Sequence, residues 1–177
     1  MGFRDDIAAD AAWYGVTSLP AVLLAALRHR TLAPVITLRI SKYTENCRPA
    51  HLSARLIHRW ACQRAGIDLP HELVAGPGLK LTHGWGIVVH PDARIGRNVI
   101  LMHGVTIGMR SGGVPTIGDD AWIGPNAVVI GPTRVGDRSR VAAGCVLVES
   151  IGDDVQVFLD KRALVIRHVG SAPELQE

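Results

Sequence analysis

A six-residue repeat of aliphatic side chains fills the second half of this 177-residue sequence. From Ile117 the chain reads IGDDAW, IGPNAV, VIGPTR, VGDRSR, VAAGCV and LVESIG; a branched aliphatic residue opens every hexad, and the fifth residue is small in the first five. The spacing recurs upstream in two shifted phases. Its opening residues are Ile117, Ile123, Val129, Val135, Val141 and Leu147, then Ile95, Leu101 and Ile107, then Leu69, Ala75, Leu81 and Ile87. Neither a helix, with period 3.6, nor a strand, with period 2, produces this pattern.

A period of six predicts a parallel β-helix. Three hexads complete one triangular coil, with a short strand on each side and a tight turn at each corner. The aliphatic side chains then point inward and stack on their counterparts in the next coil, roughly 4.8 Å along the axis. We expect about four and a half coils of about eighteen residues between Leu69 and Ile151. A two-residue slip at 90–92 and a glycine-rich excursion at 109–116 separate the three phases.

Residues 1–66 have a helical pattern instead. Apolar residues recur at helical spacing, most clearly in HLSARLIHRWACQRAG, residues 51–66. Pro20, Pro34 and Pro49 divide the region into three or so short helices, and Gly66 is placed as a helix stop. We therefore divide the chain into a helical region (1–66), a β-helix (67–152) and a C-terminal tail (153–177).

Composition narrows the possible functions. Sixteen acidic residues offset nineteen Lys and Arg without a concentrated basic run, which argues against nucleic-acid binding. The three scattered cysteines fit a reducing cytoplasm, and the N-terminus lacks the pattern of a signal peptide. The apolar stretch Leu19–Leu27 is too short to span a bilayer, and we interpret it as helix core rather than a membrane-surface attachment. A cytoplasmic protein is expected.

The repeat region resembles the hexapeptide-repeat acyltransferases, and among them the serine O-acetyltransferases. The segment LTHGWGIVV (81–89) is similar to the family's catalytic segment, and Asp68 precedes His83 by the family's fifteen residues. Further on, VTIG (105–108) and RSGG (110–113) are similar to its glycine-rich loop. The resemblance implies a mainly β protein, a left-handed parallel β-helix with a short N-terminal α-helical region.

The resemblance also implies a reaction and its residues. His83 is expected to act as the general base for acetyl transfer from acetyl-CoA, as co-substrate, to a hydroxyl, with Asp68 orienting its imidazole and no metal required. The family's coils place CoA against small residues and a basic group, here Gly108, Arg110, Gly124, Ala127 and Ala142. A homotrimer is expected, in which His83 faces the glycine-rich loop of a partner chain.

Several departures leave the acceptor open between L-serine and a sugar hydroxyl. Thr82 stands where the family usually has an acidic residue, and Val114–Pro115 replaces the Arg-His pair that meets the substrate carboxylate. His103 and His90 are rival bases. Trp85 is either a wall of the acceptor pocket or an aromatic packed between subunits. A β-helix that serves only as an assembly module is the alternative to an enzyme.

Overall fold

The computed structural model describes residues 2–16 and 18–160, which form four helices followed by thirteen short strands. The helices are α1 (Phe3–Ala12), α2 (Leu19–Arg28), α3 (Leu32–Tyr43) and α4 (Arg48–Ala65). The strands are β1 (Val74–Ala75), β2 (Lys80–Thr82), β3 (Val88–Val89), β4 (Arg94–Ile95), β5 (Ile100–Met102), β6 (Thr106–Gly108), β7 (Thr116–Ile117), β8 (Trp122–Ile123), β9 (Val128–Ile130), β10 (Arg134–Val135), β11 (Arg140–Val141), β12 (Val146–Leu147) and β13 (Gln156–Val157).

The helical region contains four helices rather than three or so, because its prolines begin helices instead of ending them. Pro20 and Pro49 lie in the first turns of α2 and α4, where a missing N–H costs nothing. Pro34 is the third residue of α3. Gly66 ends α4 with φ of 68°, as expected of a helix stop. No helix of the described segments is long and apolar enough to cross a bilayer.

The strands form three parallel sheets, one on each side of a triangular rod. We name them side A (β3, β6, β9, β12), side B (β1, β4, β7, β10) and side C (β2, β5, β8, β11, β13); within each, a strand pairs with its counterpart one coil away. The predicted parallel β-helix with a helical N-terminal region is therefore confirmed. The inward hexad residues that open each repeat are buried, and so are the small fifth-position residues from Ala121 to Cys145.

The coils are not uniform in length. Val74 pairs with Arg94, Arg94 with Thr116 and Thr116 with Arg134, so successive coils take 20, 22 and 18 residues rather than a constant eighteen. The four extra residues of the second coil lie between β6 and β7, in the predicted glycine-rich excursion.

The two extra residues of the first coil are not at 90–92, where the sequence pattern placed them. Val89, not Ile87, pairs with Ile107 in the inward column of side A. The expansion therefore lies at the corner between β2 and β3, which contains His83. The sequence pattern was misleading because Ile87 is also fully buried. It occupies the fifth position of a hexad, two residues before the inward Val89.

A buried ion pair joins the helices to the first coil. The Arg39 guanidinium of α3 lies 2.8 Å from the Asp10 carboxylate of α1, and both side chains are at most 1% exposed. Arg39 also donates to the carbonyls of Ala75 and Gly76, while Asp10 accepts the N–H groups of Gly78 and Leu79. These backbone groups lie at the first coil, where no preceding coil of the rod can pair with them. The ion pair supplies their hydrogen-bond partners instead.

The division at 66 and 152 stays a prediction. Strand β13 lies within the predicted tail and pairs with β11 of side C. The tail from residue 161 onward is outside the described residues.

We expect Arg39→Met to lower the free energy of unfolding by about 3–5 kcal/mol, because it leaves the buried Asp10 carboxylate uncompensated. The exposed Arg97–Asp119 pair supplies the control, and Arg97→Met should cost about 1 kcal/mol or less. Urea unfolding followed by circular dichroism measures both. Equal losses in the two variants would contradict the role given to Arg39.

Candidate active site

The corner between β2 and β3 has an unusual backbone. His83 and Gly84 have φ of 61° and 44°, in the left-handed region that a non-glycine residue rarely adopts. Gly86, with φ of 68°, takes the place that Gly104 takes in the corner of the next coil. His83 and Gly84 thus represent the two inserted residues, and their turn leaves the His83 side chain exposed on the rod's surface.

A second imidazole lies beside His83. Register pairs Thr82 with Met102, so His103 follows one coil away, and the two rings meet edge to face with centroids 6.0 Å apart. The Nδ1 atom of His103 is buried without a hydrogen-bond partner among the described residues. The predicted base and its rival therefore belong to one cluster, with His83 the more accessible of the two. His90, the other rival, lies at the far end of side A, where its Nδ1 accepts the Asp92 N–H.

The α2–α3 connection packs directly on this corner. The Arg30 guanidinium lies 3.9 Å from the centroid of the Trp85 ring, and its Nη2 is 3.4 Å from the His83 carbonyl oxygen. A Cβ added to Gly84 would approach the Thr31 methyl to 2.3 Å, and one added to Gly66 would approach the Trp85 ring to 2.2 Å. The helices therefore hold the shape of the corner. The sequence pattern did not reveal this contact, because its partners are more than fifty residues apart.

Asp68 lies one coil before the corner, on side A. It forms a parallel bridge with Val88, and its N–H donates to the Ile87 carbonyl. Its carboxylate is exposed, and the described residues record no hydrogen bond between it and His83. Asp68 instead lines a cavity of about 580 Å³ between α4 and residues 67–71. The expected pairing of Asp68 with His83 stays a prediction.

The residues expected to contact CoA fall into two groups. Continuing the register by one residue places Gly124 and Ala142 in the column of Thr82 and Met102, two and three coils from Thr82. At roughly 4.8 Å per coil these levels are about 10 and 14 Å from Thr82. Ala127 lies at the same edge of the rod, before β9, but its side chain is one of the buried fifth-position residues. Gly124 is buried as well, so of these three expected residues only Ala142 is partly exposed.

The second group lies at the opposite end of side A. Gly108 ends β6, and Arg110 begins the excursion that leads to β7. Arg110 and Gly113 exchange two backbone hydrogen bonds of 3.0 Å, and the residues between them, Ser111 and Gly112, both have positive φ. This tight turn holds the exposed Arg110 side chain away from His83 of the same chain.

A buried thiol near Asp68 is not a nucleophile. The Cys62 Sγ lies 3.5 Å from the Nε2 of His58, an arrangement that can mark a Cys-His dyad. Burial raises the pKa of the Cys62 thiol to about 11, so it stays protonated. Burial also lowers the pKa of His58, whose ring bridges Thr37 and the Leu69 carbonyl. No group of His, Cys, Asp and Glu in the described part of the chain could hold a metal ion.

What remains is an exposed imidazole at an expanded corner, on the same edge of the rod as Gly124 and Ala142. The Gly86 amide already donates to the Gly66 carbonyl, so it is not free to bind an oxyanion. An imidazole in this position can accept a proton from a hydroxyl group and return it to a leaving group.

Comparisons with known proteins show that the chain is similar to hexapeptide-repeat transferases, and among them to serine acetyltransferases. A family described as bacterial transferase hexapeptide (six repeats) matches residues 115–148. The serine acetyltransferase of Mycobacterium tuberculosis is 36% identical over 109 residues, which cover 59% of this chain and 47% of that protein. That of Bacillus subtilis is 34% identical over 110 residues, covering 60% and 51%.

The similarity to solved structures covers more of the chain than the sequence similarity does. The crystal structure of Neisseria gonorrhoeae serine acetyltransferase in complex with serine superposes with a TM-score of 0.71 at 26% identity, covering 90% of this chain and 66% of that one. The structure of the same enzyme described without serine gives a TM-score of 0.73 at 27% identity, covering 96% and 67%. This chain spans about half the length of the curated relatives it matches.

We expect Gly84→Ala to destabilise the protein more than Gly112→Ala. Both variants place a Cβ on a left-handed backbone, at about 1–2 kcal/mol, but only the first collides with Thr31. Thermal unfolding measures the difference, at about 2–4 °C for each kcal/mol. Adding Thr31→Ser to Gly84→Ala removes the colliding methyl and should restore most of the difference. Failure of this rescue would contradict the packing of the helices on the corner.

Proposed function

We propose that this chain, a hexapeptide-repeat protein related to the serine acetyltransferases, transfers an acetyl group from acetyl-CoA to a hydroxyl with His83 as general base. The observation that carries the proposal is the exposed His83 imidazole at an expanded corner, on the same edge as Gly124 and Ala142. Among the histidines of the described strands and corners of the rod, His83 is the exposed one, whereas His71, His90 and His103 are partly buried.

The reaction needs a base because an alcohol is a poor nucleophile at neutral pH. The His83 ring accepts the hydroxyl proton as the oxygen attacks the thioester carbonyl, and returns it to the departing CoA thiolate. Asp68 serves as the partner that orients the ring and stabilises its charged form. That role requires its exposed carboxylate to turn from the α4 cavity toward the corner. His103 supports the ring from the neighbouring coil.

The two groups of CoA residues support a homotrimer. Gly124, Ala127 and Ala142 share an edge with His83, whereas Gly108 and Arg110 lie at the other end of side A. One chain therefore presents three of the five expected residues at the edge of its own base. In a threefold assembly a neighbouring chain supplies the other two, with Arg110 placed to meet phosphate.

The acceptor remains a choice between L-serine and a sugar hydroxyl. The relatives carry serine in their names, and the Neisseria enzyme was crystallised with serine. Against this stands Val114–Pro115, where Pro115 is buried and neither residue can bind a carboxylate. A sugar acceptor needs no such cation, which is why it is the second candidate.

We expect His83→Ala to lower kcat by a factor on the order of 100 to 10,000, the usual scale for loss of a general base. Acetyl-CoA affinity, measured by calorimetry, should stay within about twofold because no contact with the cofactor is removed. His51→Ala on α4, away from both groups of expected CoA residues, is the control and should leave kcat unchanged. If His103→Ala abolishes turnover and His83→Ala does not, the assignment of the base is wrong. Failure of the wild-type protein to bind acetyl-CoA would favour an assembly module instead.

Thiol release from acetyl-CoA in the presence of candidate acceptors distinguishes the two substrates. Because the relatives are serine acetyltransferases, we expect activity with L-serine to exceed activity with a panel of neutral mono- and oligosaccharides. The reverse result would show that the missing cation at Val114–Pro115 decides the acceptor. A clear preference for L-serine would identify the chain as a serine acetyltransferase and would require another cation, such as Arg30, at the acceptor carboxylate.

A further inference from the structure

Helix α4 packs with its small residues inward and its large apolar residues outward. Its buried residues are Ala54, His58, Ala61, Cys62 and Ala65. Its large apolar residues are each more than half exposed; they are Leu52, Leu56, Ile57 and Trp60. At 3.6 residues per turn these four lie on the side of the helix opposite the buried stripe. The small inward residues let α4 approach α3 closely, so the apolar stripe that the sequence pattern revealed points to solvent.

Helix α2 extends this apolar surface. Leu23, Leu24 and Leu27 are 51–67% exposed, so the interpretation of this stretch as helix core was wrong for these residues. Arg64 joins the two helices, because its Nη2 is 3.3 Å from the Leu27 carbonyl and its guanidinium lies 6.0 Å from the Trp60 ring centroid. We call the seven side chains together the apolar face; they are Leu23, Leu24, Leu27, Leu52, Leu56, Ile57 and Trp60.

The apolar face is bordered by positive charge. Four exposed arginines of α4 flank its stripe: Arg48, Arg55, Arg59 and Arg64. Neither α2 nor α4 contains an acidic residue, and between Leu19 and Ala65 the only one is Glu45. Although the formal net charge of the whole chain is only +3, the surface formed by α2 and α4 is strongly basic.

We propose that the apolar face docks on the surface of a membrane rich in anionic phospholipid, with α4 lying in the plane of the interface. A helix with large apolar residues on one side and arginines at the borders of that side binds the boundary between headgroups and acyl chains. Leucine and tryptophan enter the acyl boundary, and the arginines meet lipid phosphates. This orientation leaves the described helices on the surface rather than across the bilayer, in agreement with their length and charge.

A second copy of this chain is a poorer occupant of the face. Two copies joined through the same surface around a twofold axis would bring the arginines of one α4 toward those of the other. Neither helix offers an acidic residue to neutralise them. A lipid surface instead supplies the missing negative charge along the whole length of α4. The proposal does not depend on the reaction proposed for the corner at His83.

Flotation of the full-length protein with vesicles tests this docking. We expect binding to vesicles of phosphatidylglycerol and phosphatidylcholine, weakening as salt rises, and little binding to phosphatidylcholine alone. Arg55→Glu/Arg59→Glu should lower the fraction bound by about tenfold or more, because each basic residue near an anionic surface contributes about 1 kcal/mol. Arg94→Glu/Arg140→Glu changes the same charge on exposed residues of the rod and should lower binding much less.

Apolar variants separate insertion from simple charge attraction. Leu56→Gln/Ile57→Gln/Trp60→Gln keeps every arginine and should still abolish most binding, whereas Val74→Gln/Val146→Gln on the rod should not. Thermal unfolding checks that the variants fold, which their exposure favours. Absence of wild-type flotation overturns the proposal, as does equal loss in the two arginine pairs. Dissociation of a wild-type oligomer by the triple variant, seen in sedimentation, would show that a second copy covers the face.

Discussion

The stacking of one coil on the next is the constraint on which the rest of this molecule depends. Each strand is only two or three residues long, and it holds its place through backbone hydrogen bonds to the coils on either side and through an inward aliphatic residue in a continuous column. A coil therefore cannot absorb an additional residue along its sides. Extra residues must leave at a corner, and the two places where they do, at His83 and at 109–115, are the segments that carry the expected chemistry.

Much of the rod could be predicted from the sequence, because the aliphatic residues that recur every six positions are the ones whose side chains form the inward column. The hexads located the rod, and the resemblance of LTHGWGIVV to a catalytic segment led to the family that the comparisons support. The position of the first insertion could not be predicted, because Ile87 and Val89 are both buried and either satisfies the pattern. Helical periodicity located α4 but could not say which of its two stripes faces the protein. The contacts of Arg30 and Thr31 with the corner are long-range and leave no local signal.

The helices act on the rod at two points. At the first coil, Asp10 and Arg39 satisfy backbone groups through side chains rather than through another coil. At the corner, Arg30 and Thr31 pack against the residues that surround His83. Folding of the helical region and the shape of the site are therefore coupled, although the site's own residues come from the rod.

The loop at 109–115 has a different relation to the scaffold. Arg110 and Gly113 bond to each other, so the loop closes on its own base, and its two ends pack against Gly131 and Pro132 of the next coil. Such an appendix can grow, shrink or exchange its side chains over evolutionary time without re-spacing any coil. The side chains at this corner can therefore change while the stacking of the coils, and with it the architecture, stays the same.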